Sequence, residues 1–196
     1  MSAAALEALL AQARACTHCA DLPLGPRPVL RARVSARLLI IGQAPGTRVH
    51  ASGVPWDDRS GDRLRQWLDL DRDTFYDESR IAIIPTGLCY PGTAPRGGDL
   101  PPRPDCAPLW HPRLLAALPH IVLTLLVGSH AQAFHLKERR AATLTDTVRA
   151  WREYGPGLLP LPHPSWRTGH WEKQNPWFAA ELLPEARQRV RAALSS

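Results

Sequence analysis

The sequence predicts an α/β domain of three layers, with helices on both faces of a four-stranded, mainly parallel central sheet. Three observations carry this. Short, nearly continuous apolar runs recur along the chain, helix-patterned stretches separate them, and unusual loops follow three of the runs. A strand covered on both faces reads as an unbroken apolar run because neither side meets water. Alternation of such runs with helical segments is the pattern of a doubly wound parallel sheet.

Ala3 to Arg14 has helical apolar spacing and good helix formers, and runs into the first cysteine pair. A Pro-rich connector, Leu22 to Val29, precedes the first strand, Arg37 to Ile41, which ends at Gly42. Arg80 to Ile84 and His120 to Val127 repeat the apolar pattern, and Pro160-Leu161-Pro162 leads out of a last short strand. Helices are predicted at Gly61 to Leu70, Pro108 to Leu118 and Ser129 to Leu136. Glu181 to Leu194 reads as a closing amphipathic helix with Pro184 near its start, packed onto the sheet through Trp177 and Phe178. Tyr90 to Pro108 is a Pro/Gly-rich loop long enough to be functional.

A chain of 196 residues that is 44% hydrophobic suits one domain, residues 1–196, with a core that needs no disulfides. The first residues include an acid and no long apolar run, so they fit neither a signal peptide nor a membrane span, and a cytoplasmic location is expected. In that reducing setting the four cysteines read as metal ligands, catalytic thiols or buried fillers. The net charge of +6 comes mostly from arginine, whose planar fork suits phosphate, although GC-rich coding produces the same Ala, Pro and Arg enrichment.

Ligands of such sheets sit at the carboxyl ends of the strands. Three loops fall there: Gly42-Gln43-Ala44-Pro45-Gly46, Pro85 through Cys89, and His163-Pro164-Ser165. The first is a tight turn that lets backbone N–H groups approach a ligand, and a strand-to-helix turn also needs Gly and Pro for shape alone. The second brings Pro85 and Thr86 to the same end of the sheet. In the third, the His163 imidazole can donate to developing negative charge.

The first and last of these loops resemble the two signature motifs of uracil-DNA glycosylases, and the nearest likeness is to the iron–sulfur family 4 type. That type reads G-E-A-P-G in the first motif, followed by a segment that Gly53-Val54-Pro55-Trp56-Asp57-Asp58-Arg59-Ser60-Gly61 matches without a gap. The resemblance places Trp56 as the aromatic that stacks on a flipped base, with Ala44 and Pro45 in the same base pocket. It also assigns Cys16, Cys19, Cys89 and Cys106 as the ligands of a 4Fe-4S cluster; four sulfurs equally satisfy tetrahedral zinc, the alternative. His18, inside the first cysteine turn, reads as a solvated loop residue. Arg96 and Arg103, between the last two cysteines, are expected to meet DNA phosphates. Ser165, Trp166 and Arg167, behind the histidine, are expected to contact DNA, with Trp166 or Arg167 filling the gap left by the base.

The active-site motifs diverge from that family. Neutral Gln43 stands where family 4 has an acid; it can orient a water but cannot take its proton. Pro85 stands where the base-reading asparagine falls, and its side chain has no hydrogen-bonding atom; Thr86 beside it is a partial substitute. Asp57 and Asp58 follow directly after Trp56, and Asp57 is the candidate water-activating base, with His50 a weaker one. The expected activity is hydrolytic excision of a deaminated or damaged base, uracil first, from single- or double-stranded DNA by a monomer, with Gln43, Asp57 and His163 catalytic. A DNA-binding iron–sulfur module that has lost cleavage is the alternative, and an enzyme acting on free nucleosides is a third.

Overall fold

Each central strand is a short apolar run whose alternate residues feed two different cores. In the computed structural model, which describes residues 2–95 and 97–195, four strands form one sheet: β1 (Leu38–Ile41), β2 (Ile81–Ile83), β3 (Leu123–Val127) and β4 (Leu158–Leu161). Their order is β2-β1-β3-β4, and all three pairings are parallel. Leu38 and Ile40 of β1 enter one core, Leu39 and Ile41 the other, as the two-residue side-chain period requires. The predicted three-layer architecture is what the chain adopts.

The first core packs Leu64, Trp67 and Leu68 of α3 (Arg59–Leu68) and Ala186 and Val190 of α9 (Leu183–Leu194) against the sheet. The second packs Leu6 and Leu10 of α1 (Ala3–Arg14), Trp110 and Leu114 of α5 (Cys106–Ala116) and Ala131 of α6 (Ser129–Leu136) on the opposite face. Both sheet edges are managed. Pro160 lies in edge strand β4, where a missing N–H costs no inner ladder bond. Edge strand β2 is covered by Arg31, which exchanges backbone hydrogen bonds with Ile83 at 2.9 and 2.7 Å.

Ala3–Arg14 and Ser129–Leu136 are helical over the predicted residues. Helix α3 begins two residues earlier than its apolar spacing suggests, because Asp58 caps it by accepting from Gly61 N–H at 2.8 Å. Helix α5 likewise starts early, at Cys106. The closing segment is π-helical over Phe178–Leu182 and α-helical from Leu183, so Pro184 falls in a first turn where its missing N–H is harmless. Phe178 is fully buried and touches Trp67 and Trp171 edge-on. Four short helices escaped the sequence reading: α2 (Thr47–Ser52), α4 (Arg72–Tyr76), α7 (Leu144–Arg149) and α8 (Thr168–Gln174). Each is seven residues or fewer, too short for an apolar period to show. No helix among the described residues is long and apolar enough to cross a membrane.

Candidate active site and cysteine site

A cavity of about 90 Å³ opens at the carboxyl ends of β1, β2 and β4. Gln43, Ala44, Pro45 and Gly46 line it from β1, Pro85 from β2, and His163 from β4, with Trp56, Asp58 and Asp99 completing the wall. The structure therefore brings together seven of the predicted residues: Gln43, Ala44, Pro45, Trp56, Pro85 and His163 in the cavity, and Ser165 in the loop just behind.

Trp56 is held under constraint. Its φ of 59° is left-handed, which a bulky L-residue adopts only when its surroundings enforce it. Here they do: a Cβ on Gly61 would sit 1.7 Å from the Trp56 carbonyl oxygen, and Arg65 donates to that oxygen at 3.4 Å. A Cβ on Gly42 would sit 2.6 Å from Cζ2 of the indole, so the first motif must begin with glycine for the ring to reach its place. The indole is 7% exposed and lies 5.6 Å from the His163 ring, tilted by 33°.

Burial pushes the His163 imidazole below its ordinary pKa, and nearby His130 adds to this while the Asp58 charge opposes it. The ring is thus neutral at pH 7 and available as a hydrogen-bond donor. Its backbone carbonyl accepts from the Thr168 hydroxyl and from Ser165 N–H, which fixes the turn behind it.

Three residues expected at the site stand outside the cavity wall. Asp57 is outside the cavity wall and accepts from Arg72 at 2.8 Å, a bond that holds its carboxyl below the usual range. Asp58, its neighbour, is the one that faces the cavity. Thr86 is buried and donates its hydroxyl to the Gly42 carbonyl at 2.7 Å, with its N–H on the same oxygen at 2.9 Å. It therefore buttresses the first motif and does not line the cavity. His50 lies beside Tyr90, also away from the wall.

Behind Pro85 runs a relay that sequence reasoning missed. His111, on α5, donates Nε2–H to the Pro85 carbonyl at 3.0 Å, which leaves Nδ1 to accept from His135 Nε2–H on α6 at 3.0 Å. Burial depresses both imidazoles, His135 to about 4, so both are neutral at pH 7. No local pattern marks two histidines from separate helices as partners; only packing brings them together.

The loop after the cavity is poised outward. Trp166 is 81% exposed, with the Arg167 guanidinium 5.0 Å from its ring centre. Arg63 of α3 anchors the loop, donating to the Ser165 carbonyl at 2.9 Å and to Glu172 of α8 at 2.9 Å.

On the far side of the β2 loop, Cys16, Cys19, Cys89 and Cys106 all line a second cavity, together with His18, Arg103 and Trp110. The four thiols are free of disulfides. Leu88 N–H donates to the Cys106 sulfur at 3.3 Å. Burial pushes the Cys89 and Cys106 thiols up to about 11, and the other cysteines add to this. Among the described residues no group of three or more His, Cys, Asp or Glu is placed to hold a metal ion. Arg103 is paired with Asp21, and Arg96 lies outside the described residues.

The sheet and its cavity define a doubly wound α/β domain whose cavity is lined by strand-end loops. Residues 31–187 match the family model for the Uracil DNA glycosylase superfamily, and the chain belongs to that superfamily.

Proposed function

We propose that this chain is a monofunctional DNA N-glycosylase that flips a deaminated or damaged base, uracil first among the candidates, into the Trp56–His163 cavity and excises it by hydrolysis. The observation that carries the proposal is the pairing of a constrained indole with a neutral imidazole in one cavity. Its volume of about 90 Å³ is several times the 10–15 Å³ a water requires. It is also well below the roughly 300–1,000 Å³ of drug-sized clefts, which suits a base rather than a whole nucleotide.

In duplex DNA such a base is out of reach until it leaves the stack. Trp56 then offers a flat apolar wall, and His163 donates to the oxygen that gains charge as the base departs. Gln43 orients the attacking water through its side-chain amide. Trp166, with Arg167 stacked on it, fills the place the base vacates.

We further propose that Cys16, Cys19, Cys89 and Cys106 hold a 4Fe-4S cluster, with zinc the alternative. Four thiols lining one cavity and a backbone N–H donating to the Cys106 sulfur support this donor set, although the thiols as placed do not close around a metal ion. The group would serve as a structural clamp tying the segment after α1 to the loop between Cys89 and Cys106.

The alternative reading, a DNA-binding module without cleavage, is favoured by one observation: Pro85 occupies the base-reading position and the Thr86 hydroxyl is spent on Gly42. One experiment separates the two. Protein isolated without air and incubated with oligonucleotides carrying uracil, hypoxanthine, xanthine or alkylated bases is expected to release free base from at least one. Salt-sensitive DNA binding with no release from any lesion would establish the module instead. The visible spectrum of the same sample is brown for the cluster and colourless for zinc.

A further inference from the structure

The cavity contains a carboxylate that neither signature motif supplies. Asp99 belongs to the Pro/Gly-rich segment between Cys89 and Cys106, and a small hairpin carries it back over the cavity. Thr93 and Asp99 form an antiparallel bridge, Ala94 N–H donates to Gly98 at 2.8 Å, and Leu100 N–H donates to Gly92 at 2.8 Å. The hairpin brings Asp99 to the last residue of the first motif, where a Cβ on Gly46 would meet Asp99 Oδ2 at 3.3 Å.

Among the described residues the Asp99 carboxylate makes no hydrogen bond or ion pair. The other acids near Trp56 are committed: Asp57 to Arg72, and one oxygen of Asp58 to the cap of α3. Glycosidic hydrolysis needs an acceptor for a proton of the attacking water, and Gln43 cannot be one.

We propose that Asp99 is a catalytic residue of the glycosylase reaction proposed above, on which this inference rests: its carboxylate accepts the proton of the water that attacks C1′. In that step the C1′–N bond breaks with its electron pair leaving on the base, and the C1′–O bond forms from water. One water proton passes to Asp99. The base anion takes a hydrogen bond from neutral His163 until solvent protonates it. The carboxylate also faces the positive charge that develops on the sugar.

Burial, and secondarily the charge of Asp58, push the Asp99 carboxyl above its usual value, the direction that favours a general base. Among the described residues, the titratable and charged groups around it are Asp58 and His163 in the cavity wall and Arg167, whose Nη1 would lie 3.8 Å from a Cβ on neighbouring Gly98.

The test is single-turnover excision by the full chain, on the best substrate from the lesion panel, comparing wild type with D99N, D99E and D58N from about pH 5 to about pH 8. D99N is expected to lower the rate about 100-fold or more while leaving DNA affinity and its salt dependence unchanged. The wild-type rate should rise with pH as Asp99 ionises, D99N should lack that limb, and D99E should restore part of the rate. A D99N rate within about threefold of wild type would overturn the role of Asp99 and leave the glycosylase standing. In that case a deep loss in D58N would move the role to Asp58. Joint loss of DNA binding and rate in D99N would make the residue structural and also overturn the proposal. No release by wild-type protein from any lesion would overturn both readings together.

Discussion

Gly42 has no side chain because the Trp56 ring occupies the space where one would be, and the pocket depends on that contact. A Cβ there would lie 2.6 Å from the indole, and the ring cannot swing away freely because its own backbone is held by Gly61 and Arg65. Gly42→Ala is therefore expected to destabilise the fold by about 1–3 kcal/mol in urea unfolding, the usual range for overpacking. It should also slow excision more than it weakens DNA binding, since in the proposed reaction the displaced ring is the base-facing wall. Equal losses in both would place Trp56 outside the reaction. At the same scale, Pro85 and Thr86 themselves offer nothing to read a base edge: one side chain has no polar atom and the other is turned to the backbone of the first motif.

Between elements, the contact that matters is the one from α3 to the loop behind His163. Arg63 reaches both the Ser165 carbonyl and Glu172, so the helix that starts beside Trp56 also sets the position of Trp166 and Arg167. Hydrogen bonds from a charged group are worth roughly 1.5–3 kcal/mol, and a shift of 1.4 kcal/mol in loop population is tenfold. Arg63→Ala is accordingly expected to reduce excision from duplex DNA about tenfold. Excision from single strands, where no gap needs filling, should change much less. An equal drop on both substrates would show that Arg63 supports the cavity rather than the loop.

Across the whole molecule, the histidine relay joins α5, α6 and the β2 loop and makes stability depend on pH. Both folded-state imidazoles titrate below the ordinary value of 6.5, His135 at about 4, because burial disfavours the cation. The unfolded chain then binds more protons than the folded one between these values. The contribution of the relay is complete above about pH 6.5 and is lost as pH falls towards about 4. Urea unfolding at about pH 7 and about pH 5.5 should show this loss in wild type. It should be smaller in His135→Gln, where an amide can still donate to His111 Nδ1 and cannot titrate. An unchanged pH dependence in that variant would remove His135 as its source.

Much of this was legible in the sequence. The apolar runs determined the four strands and their layered burial, because a strand covered on both faces has no polar alternative. The two short motifs and the cysteine spacing marked the strand-end loops and the superfamily, since these positions combine special backbone geometry with specific chemistry. Local patterns could not decide which acid faces the cavity. Asp57 and Asp58 are adjacent in sequence, and only the capping of α3 and the pairing with Arg72 send them in different directions. Nor could they bring Asp99 to Gly46, His111 to His135 or Arg63 to Ser165, all contacts made across distant parts of the chain. The sequence by itself determined the sheet, its two cores and the strand-end loops that border the cavity, through burial and backbone restriction that each residue carries locally. The tertiary structure alone decided which side chains furnish that place with charge, protons and support, because those depend on which distant residues packing brings within a few ångströms.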